Sequence, residues 1–436
     1  MSGIETKKSR PPWFWIPTLY VAEGLPYTLV INVTVVLYST LGVSNTATAF
    51  WTSLLYLPWV IKPIWSPLVD LIKTRRTWIW TMQLFAGAGF AAVALMIPVP
   101  HFAQWTIILF GLLAFNAATH DIAADGFYML ATTEHDQSFF IGFRSVFFNV
   151  GKVLAQGGLV YVAGELQKST GSITLAWSVT FLIAAGIFLC LGLYHHFILP
   201  KPDSDKPKVI RHSVHFWAEF FKTFGAFFQR PKILTLLTFI LLYRLGEAQL
   251  VKMTQPFLLD PQNTGGLGLG LKEVSIVYGT VGFIAFIFGA LLGGFFIARK
   301  GLKFWLWPML LAIHLPDAVF IWLAYEQPQN LFAVGTGLAI EQFGYGFGFT
   351  ALSLYMIYIA RGEHATAHYA IATGFMALGM MLPGMVSGKL QELLGYQHFF
   401  IWVILATIPS FIVAMKIPLD AEFGKRNQQP EEKTVV

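Results

Sequence analysis

The sequence predicts an all-α membrane protein of twelve spans arranged as two six-helix bundles. Three observations carry that prediction. Of the 436 residues, 56% are hydrophobic and only 12% are charged, with a mean hydropathy of +0.61, whereas a soluble domain has about 25% charged residues. Twelve apolar runs reach the roughly 20 residues needed to cross a bilayer as a helix. A single long polar link divides them six and six.

The runs fall at about 13–40, 47–71, 76–98, 103–131, 137–166 and 172–199, then at about 233–259, 271–298, 302–324, 330–360, 364–394 and 396–417. The expected organisation is an N-terminal bundle over 1–199, a cytoplasmic linker over 200–232, a C-terminal bundle over 233–417 and a cytoplasmic tail over 418–436. Short loops on one side carry Lys7, Lys8 and Arg10, then Lys73, Arg75 and Arg76, then Arg299, Lys300 and Lys303. The opposite loops carry little beyond Lys168, Lys272 and Lys389. The positive-inside rule then sets both termini in the cytoplasm, as an even number of spans requires. Met1 to Arg10 leads into a run too long for a signal-peptide core, so the first span is expected to remain as an uncleaved anchor.

In the linker, Phe216, Trp217, Phe220, Phe221, Phe224, Phe227 and Phe228 recur at three- and four-residue spacing ahead of Pro231, which predicts an amphipathic helix in the interface. The alternative is a plain tether. The single Cys190 excludes an internal disulfide and any Cys-based metal motif. The net charge of +6 is explained by topology rather than by nucleic-acid binding. No Walker loop and no activated Ser or Cys constellation is present, so an enzyme is not expected, no cofactor is implied, and transport energy must come from an ion gradient, H⁺ or Na⁺.

Ionisable residues inside the spans are the functional candidates, because a charge at mid-membrane costs at least about 2.5 to 3.5 kcal/mol on insertion scales. Asp121 and Asp125 are four apart on the fourth span and share a face; with Glu23, beside the helix-breaking Gly24 and Pro26, they are the candidates for proton coupling. Lys62 lies between Pro63 and the Pro58 turn and needs a carboxylate, with Asp121 and Glu23 as possible partners. Asn149, Lys152 and Gln156 form a polar stripe on the fifth span, expected to face a wet cavity. The seventh span brings Tyr243, Arg244, Glu247 and Lys252, with Arg244 and Glu247 spaced to pair within the helix and Arg suited to capture a carboxylate. Together with Glu341 on the tenth span these form the expected substrate site. Asp70, Arg75, Arg76 and Arg144 are candidate gating or anchoring residues. His314 and Asp317 read as a satisfied core pair.

A weak repeat relates Trp65-Ser66-Pro67-Leu68-Val69-Asp70 with Arg75 and Arg76, after the second span, to Gly293-Gly294 with Arg299-Lys300-Gly301 after the eighth. Two six-helix halves with basic junctions at these places describe the major facilitator architecture. The chain further resembles the AmpG-like muropeptide permeases of that superfamily. The resemblance rests on Gly24-Leu25-Pro26; Lys62 with Trp65-Ser66-Pro67 and Asp70; Ala118-Thr119-His120-Asp121-Ile122-Ala123-Ala124-Asp125; Tyr243-Arg244-Leu245-Gly246-Glu247-Ala248; Glu341-Gln342-Phe343 with Gly346 and Gly348; and His368-Tyr369-Ala370. It implies proton-driven import, across the bacterial inner membrane, of N-acetylglucosamine linked to anhydro-N-acetylmuramic acid with or without a peptide, by a chain that works as a monomer. Departures from the family pattern are His120 and His368 in place of glutamines, Arg244 and Glu247 in place of Lys and Asp, and Asn149 where the family tends to carry Arg. The alternatives are a cation-coupled symporter of another oligosaccharide, a membrane enzyme and a non-transporting sensor.

Overall fold

The computed structural model describes residues 11–132, 134–203, 205–206, 221–222, 224–361 and 365–425, without the side chains of 67–68, 70–71, 134–139, 141–142 and 365–367. These residues form helices joined by short turns, and no strand occurs among them. In chain order the rods are α1 (Pro12–Thr40), α2 (Asn45–Leu54 and Leu57–Ile72), α3 (Arg75–Met96), α4 (Phe102–Ala131), α5 (134–170), α6 (Ile173–Ile198), α7 (Ile233–Leu259), α8 (Leu271–Lys300), α9 (Leu302–Glu326), α10 (Leu331–Ala360), α11 (365–394) and α12 (396–414). Ten helical stretches among the described residues are long and apolar enough to span a membrane. One of these, His368–Ala414, holds α11 and α12, which meet at Gly395, a residue at φ 69° where a continuous helix cannot pass. α2 is interrupted at Leu55 and Tyr56, just before Pro58 takes the first turn of its second piece.

Local chemistry sets the helix ends. Ser44, Thr74, Ser172 and Asn330 each accept a hydrogen bond from a backbone N–H of the first turn of the helix that follows. α1, α5 and α8 each contain a π-helical turn near mid-length, over Leu29–Val33, Leu154–Leu159 and Val277–Gly282. Such turns leave backbone groups off the regular ladder and re-aim side chains at functional sites.

Without a hydrophobic force between rods in lipid, close packing depends on small residues. A Cβ on Gly24 would lie 2.0 Å from the Phe148 carbonyl oxygen, and one on Gly151 would lie 2.6 Å from that of Val21, so α1 and α5 cross with their backbones in contact. In the other half, Gly289 and Gly346 do the same for α8 and α10, at 2.1 Å from the Phe343 oxygen and 2.0 Å from the Phe286 oxygen.

The two halves meet most closely at one end. Asn45 Nδ2 donates to Gln391 at 2.8 Å, to Tyr396 at 3.1 Å and to Asp260 at 3.3 Å, while Tyr396 itself donates to Asp260 at 2.6 Å. Thr46 donates from N–H and hydroxyl to Glu392, at 3.0 and 2.6 Å. Lys272 pairs with Glu165 at 2.6 Å. Between described residues, every hydrogen bond and ion pair joining the halves lies toward this end, opposite the one that carries Arg75, Arg76, Arg299 and Lys300. The molecule is therefore closed at the far end. At the basic end, solvent reaches the side chains of Lys62, Arg144 and Asp125.

Of the predicted interfacial helix, residues 207–220 and 223 lie outside the described set; 221–222 and 224–228 are helical and Phe227 is buried against α7 and α11.

Candidate transport site

The polar residues of the interior fall into two groups. The first lies on the N-terminal half, about a third of the way in from the basic end. Lys62 on α2 pairs with Asp121 on α4, and Arg144 on α5 pairs with Asp125 one turn further along α4. Arg144 also lies over the rings of Tyr20 and Tyr128, 4.6 and 4.4 Å from their centres, which adds cation–π attraction. Glu23 on α1 bears on the same cluster electrostatically, and one of its carboxylate oxygens is buried without a hydrogen-bond partner. Three carboxyls face two fixed cations, so the cluster is neutral when it holds one proton.

This differs from the arrangement expected from spacing alone. Asp121 and Asp125 share a face, yet each has its own cation from a different helix, and the further acid that bears on Asp121 is Glu23 of α1. Arg144 is a member of the cluster through Asp125, with its side chain still partly exposed. Behind Asp121, His120 accepts from Gln83 at 2.9 Å, and Gln83 accepts from His195 at 2.7 Å, whose other nitrogen meets Thr18 at 2.9 Å. This buried chain ties α4, α3, α6 and α1 together, and spacing along the sequence gives no sign of it.

The second group lies against the seam between the halves, from mid-molecule toward the closed end. Arg244 and Glu247 on α7 form the two-point pair that their spacing predicts, at 2.6 and 3.1 Å, and the Arg244 fork also donates to the Tyr345 hydroxyl at 2.6 Å. The guanidinium sits beside the rings of Tyr345 and Phe349. Tyr243, by contrast, points into the half, donating to the Gly348 carbonyl at 2.8 Å. Lys252 is fully buried; its ammonium meets the Thr52 hydroxyl of the other half at 3.0 Å and the Tyr56 ring at 5.2 Å. Lys152 on α5 is held over Phe283 and Phe286 of α8, 4.9 and 5.0 Å from the ring centres. Neither lysine forms an ion pair with a described carboxylate. Both lysines lie at contacts between the halves, Lys252 against α2 and Lys152 against α8.

The stripe expected of Asn149, Lys152 and Gln156 is not one wet face. Asn149 turns back to the Ser145 carbonyl at 2.9 Å. Gln156 is buried where α5 crosses α8 at Gly279, and neither of its amide atoms has a partner. Glu341 is buried on α10, with Gln342 donating to it at 3.0 Å. His314 and Asp317 do not pair: His314 meets Ser410 at 3.2 Å, and both Asp317 carboxylate oxygens are buried without a partner.

The junction arginines act within one half. Arg75 donates to the Gly126 carbonyl at 3.0 Å, where a Cβ on residue 126 would strike its guanidinium, and Arg76 donates to the carbonyls of His196 and Leu199. Asp205 of the linker receives the backbone N–H groups of both arginines, at 2.8 and 3.0 Å, capping α3. Asp70 lies among the residues whose side chains are outside the described set.

Residues 18–382 match the family model of the Major Facilitator Superfamily. The anhydromuropeptide permease of Escherichia coli K12 is 24% identical over 413 residues, covering 93% of this chain and 79% of its own. A Rickettsia conorii transporter called AmpG 4 is 25% identical over the same length, covering 92% and 95%. Among solved structures, a D-xylose-proton symporter superposes with a TM-score of 0.71 at 12% identity, over 95% of this chain and 98% of that one. A bacterial homologue of the lysosomal transporter Spinster, in its inward-facing unoccupied conformation, gives 0.68 at 16% identity, over 94% and 98%. The all-helical architecture of the described residues and the match over most of the length lead to one conclusion: the chain belongs to the Major Facilitator Superfamily, as a multi-pass transporter similar to the AmpG permeases.

Proposed function

We propose that this transporter imports muropeptides, N-acetylglucosaminyl-anhydro-N-acetylmuramic acid with or without its peptide, together with protons across the bacterial inner membrane. The observation that carries the reading is the pair of lysines, Lys152 and Lys252, at the seam between the halves without carboxylate partners. Anhydro-N-acetylmuramic acid carries a lactyl carboxyl, and its peptide adds more acids, so the substrate supplies the missing counter-ions. Lys152 comes from one half and Lys252 from the other; an anion between them draws the halves together. Tyr27, Tyr56 and Tyr345, beside the same seam, offer ring faces to sugars. Similarity to the Escherichia coli permease along nearly the whole chain supports the substrate class.

The carboxyl cluster supplies the coupling ion. With one proton bound among Glu23, Asp121 and Asp125 the cluster is neutral; release of that proton to the cytoplasm past the exposed Asp125 and Lys62 leaves one net negative charge, and the empty, deprotonated carrier returns to face outward, where it is reprotonated before the next substrate binds. Both termini are assigned to the cytoplasm by the basic loops, and the chain serves as a monomer with one cavity. The test is uptake of labelled N-acetylglucosaminyl-anhydro-N-acetylmuramic acid into proteoliposomes under an imposed pH gradient, with the gradient collapsed, and with sodium exchanged for choline. Accumulation that follows the pH gradient is the expected result. Accumulation that follows sodium refutes the coupling ion, and failure to take up this disaccharide by protein that transports a different oligosaccharide refutes the substrate.

A further inference from the structure

The mechanism above leaves one buried acidic group unused. α9 is broken at Pro316, where the chain tightens into a 3₁₀ turn over Leu315–Asp317 between two α-helical pieces. Asp317 ends this turn near the middle of the rod, is 1% exposed, and has no hydrogen-bond partner for either carboxylate oxygen. α10 packs against the break so closely that a Cβ on Gly344 would lie 2.1 Å from the Ala312 carbonyl oxygen and 2.8 Å from Pro316. One turn before Gly344 stands Glu341, 2% exposed, whose described partner is the amide of its neighbour Gln342.

Among the described residues, the groups around Asp317 contain no free cation. On α9 the other ionisable residues are His314, engaged with Ser410, and Lys303, Tyr325 and Glu326 at the rod's two ends. α10 adds Glu341 with Tyr345, Tyr355 and Tyr358; α12 adds only Tyr396, bonded to Asp260, and the exposed His398. The acids that bear on Asp317 electrostatically are Glu341 and, beyond it, Glu247. Glu247 is neutralised by Arg244. Two carboxyls thus remain without positive charge in a dry interior, and an ionised carboxylate there has neither water nor a counter-ion to offset its desolvation.

We infer that Asp317 and Glu341 form a second proton-binding site, in the C-terminal half, separate from the Glu23–Asp121 cluster. The proton binds to a carboxylate oxygen of either acid and leaves as H⁺, with no other bond made or broken. Because Glu341 and Glu247 both bear on Asp317, occupancy of this site sets the net charge of the C-terminal wall of the seam: with both acids protonated the wall carries the charge of Lys252 alone, and each proton lost lowers that charge by one and weakens its attraction for an anion. A metal ion is a poorer occupant, since no group of three or more metal-binding side chains occurs among the described residues.

The test is infrared difference spectroscopy of the full-length protein in lipid, stepped between acid and alkaline buffer without any substrate, so that its outcome is independent of the muropeptide assignment. Wild type is expected to show a carbonyl stretch of protonated carboxyls in an apolar setting that disappears at alkaline pH. Asp317→Asn is expected to remove part of that pH-dependent band, Glu341→Gln to remove or shift the remainder, and Asp317→Glu to restore it at a displaced frequency. Difference spectra of Asp317→Asn and Glu341→Gln that both match wild type overturn the inference, because they mean that neither acid changes protonation. Bleaching of the band by sodium at constant pH also overturns it, in favour of a cation site. Asp121→Asn, run beside them, must leave the Asp317 contribution in place.

Discussion

Replacing Asn45 by Ala is expected to open the far end of the molecule. The Asn45 amide is the hub of that closure, with hydrogen bonds to Gln391, Tyr396 and Asp260, all on the opposite half. A typical intramolecular hydrogen bond contributes a net of about 0.5 to 1.5 kcal/mol, and one to a charged acceptor somewhat more. The amide has two N–H donors for these three acceptors, so the contacts count as about two bonds, with a sum of about 1 to 3 kcal/mol, or about a 5- to 150-fold change in the ratio of closed to open far end. The Tyr396–Asp260 bond survives within the C-terminal half and contributes nothing to closure. The assay is double electron–electron resonance between spin labels at Ser169 and Asn263, exposed positions on the far-end loops of the two halves, in a background with Cys190 replaced by Ser. The long-distance population should grow by that factor in Asn45→Ala. Thr46→Ala should produce a smaller change, since its bonds to Glu392 are exposed to water. A distance distribution for Asn45→Ala indistinguishable from wild type would refute the assignment of this cluster as the latch.

Three further outcomes are expected. Asp121→Asn should abolish pH-driven accumulation while leaving substrate counterflow in place, because the proton site is lost and the seam is untouched; pH-driven accumulation by that variant removes Asp121 from the coupling. Arg244→Leu should lower thermal stability by about 3 to 5 kcal/mol, since it strands a fully buried Glu247, whereas the double change Arg244→Leu with Glu247→Leu should recover most of that loss without recovering uptake. Equal melting temperatures for the single and double variants would show that the pair is not the source of the cost. Gly24→Ala should destabilise the detergent-solubilised protein by about 1 to 3 kcal/mol, because its Cβ meets the backbone of Phe148 rather than a side chain that can turn aside; an unchanged melting temperature would mean that α1 and α5 separate at no cost.

Much of the helical framework is legible from the sequence because length and apolarity suffice to mark a rod in lipid. The break between α11 and α12 was readable at Gly395, where one apolar stretch runs into the next and only glycine fits the positive φ. The Arg244–Glu247 pair was readable too, since both ends lie on one helix at a fixed spacing. What spacing does not contain is the partner brought by another rod. Asp125 takes Arg144 from α5, Lys152 takes its phenyl rings from α8 of the other half, and Asn45 finds acceptors more than two hundred residues away. For the same reason His314 and Asp317, neighbours in sequence, read as a pair. The 3₁₀ turn at Pro316 rotates them apart, His314 toward Ser410 on α12 and Asp317 into a space without partners.

The groups proposed for proton binding and for anion binding share a common piece of backbone. Glu23 is followed directly by Gly24, which rests on the Phe148 carbonyl; Lys152 is preceded directly by Gly151, which rests on the Val21 carbonyl. Each charged residue is thus one position from the glycine through which its helix touches the other's main chain. At such a contact neither helix has a side chain that can absorb displacement, so a shift of α1 as Glu23 gains or loses its proton must be taken up by α5 as a whole. α5 carries Arg144 at the cluster and Lys152 at the seam, about two turns apart. Movement that separates Arg144 from Asp125 therefore also moves Lys152 relative to Phe283 and Phe286 of the opposite half. A substituent at Gly24 or Gly151 that loosens this crossing without touching any charge should accordingly weaken the pH dependence of substrate binding, and that loss would separate mechanical coupling through α1 and α5 from direct electrostatic attraction between the two groups.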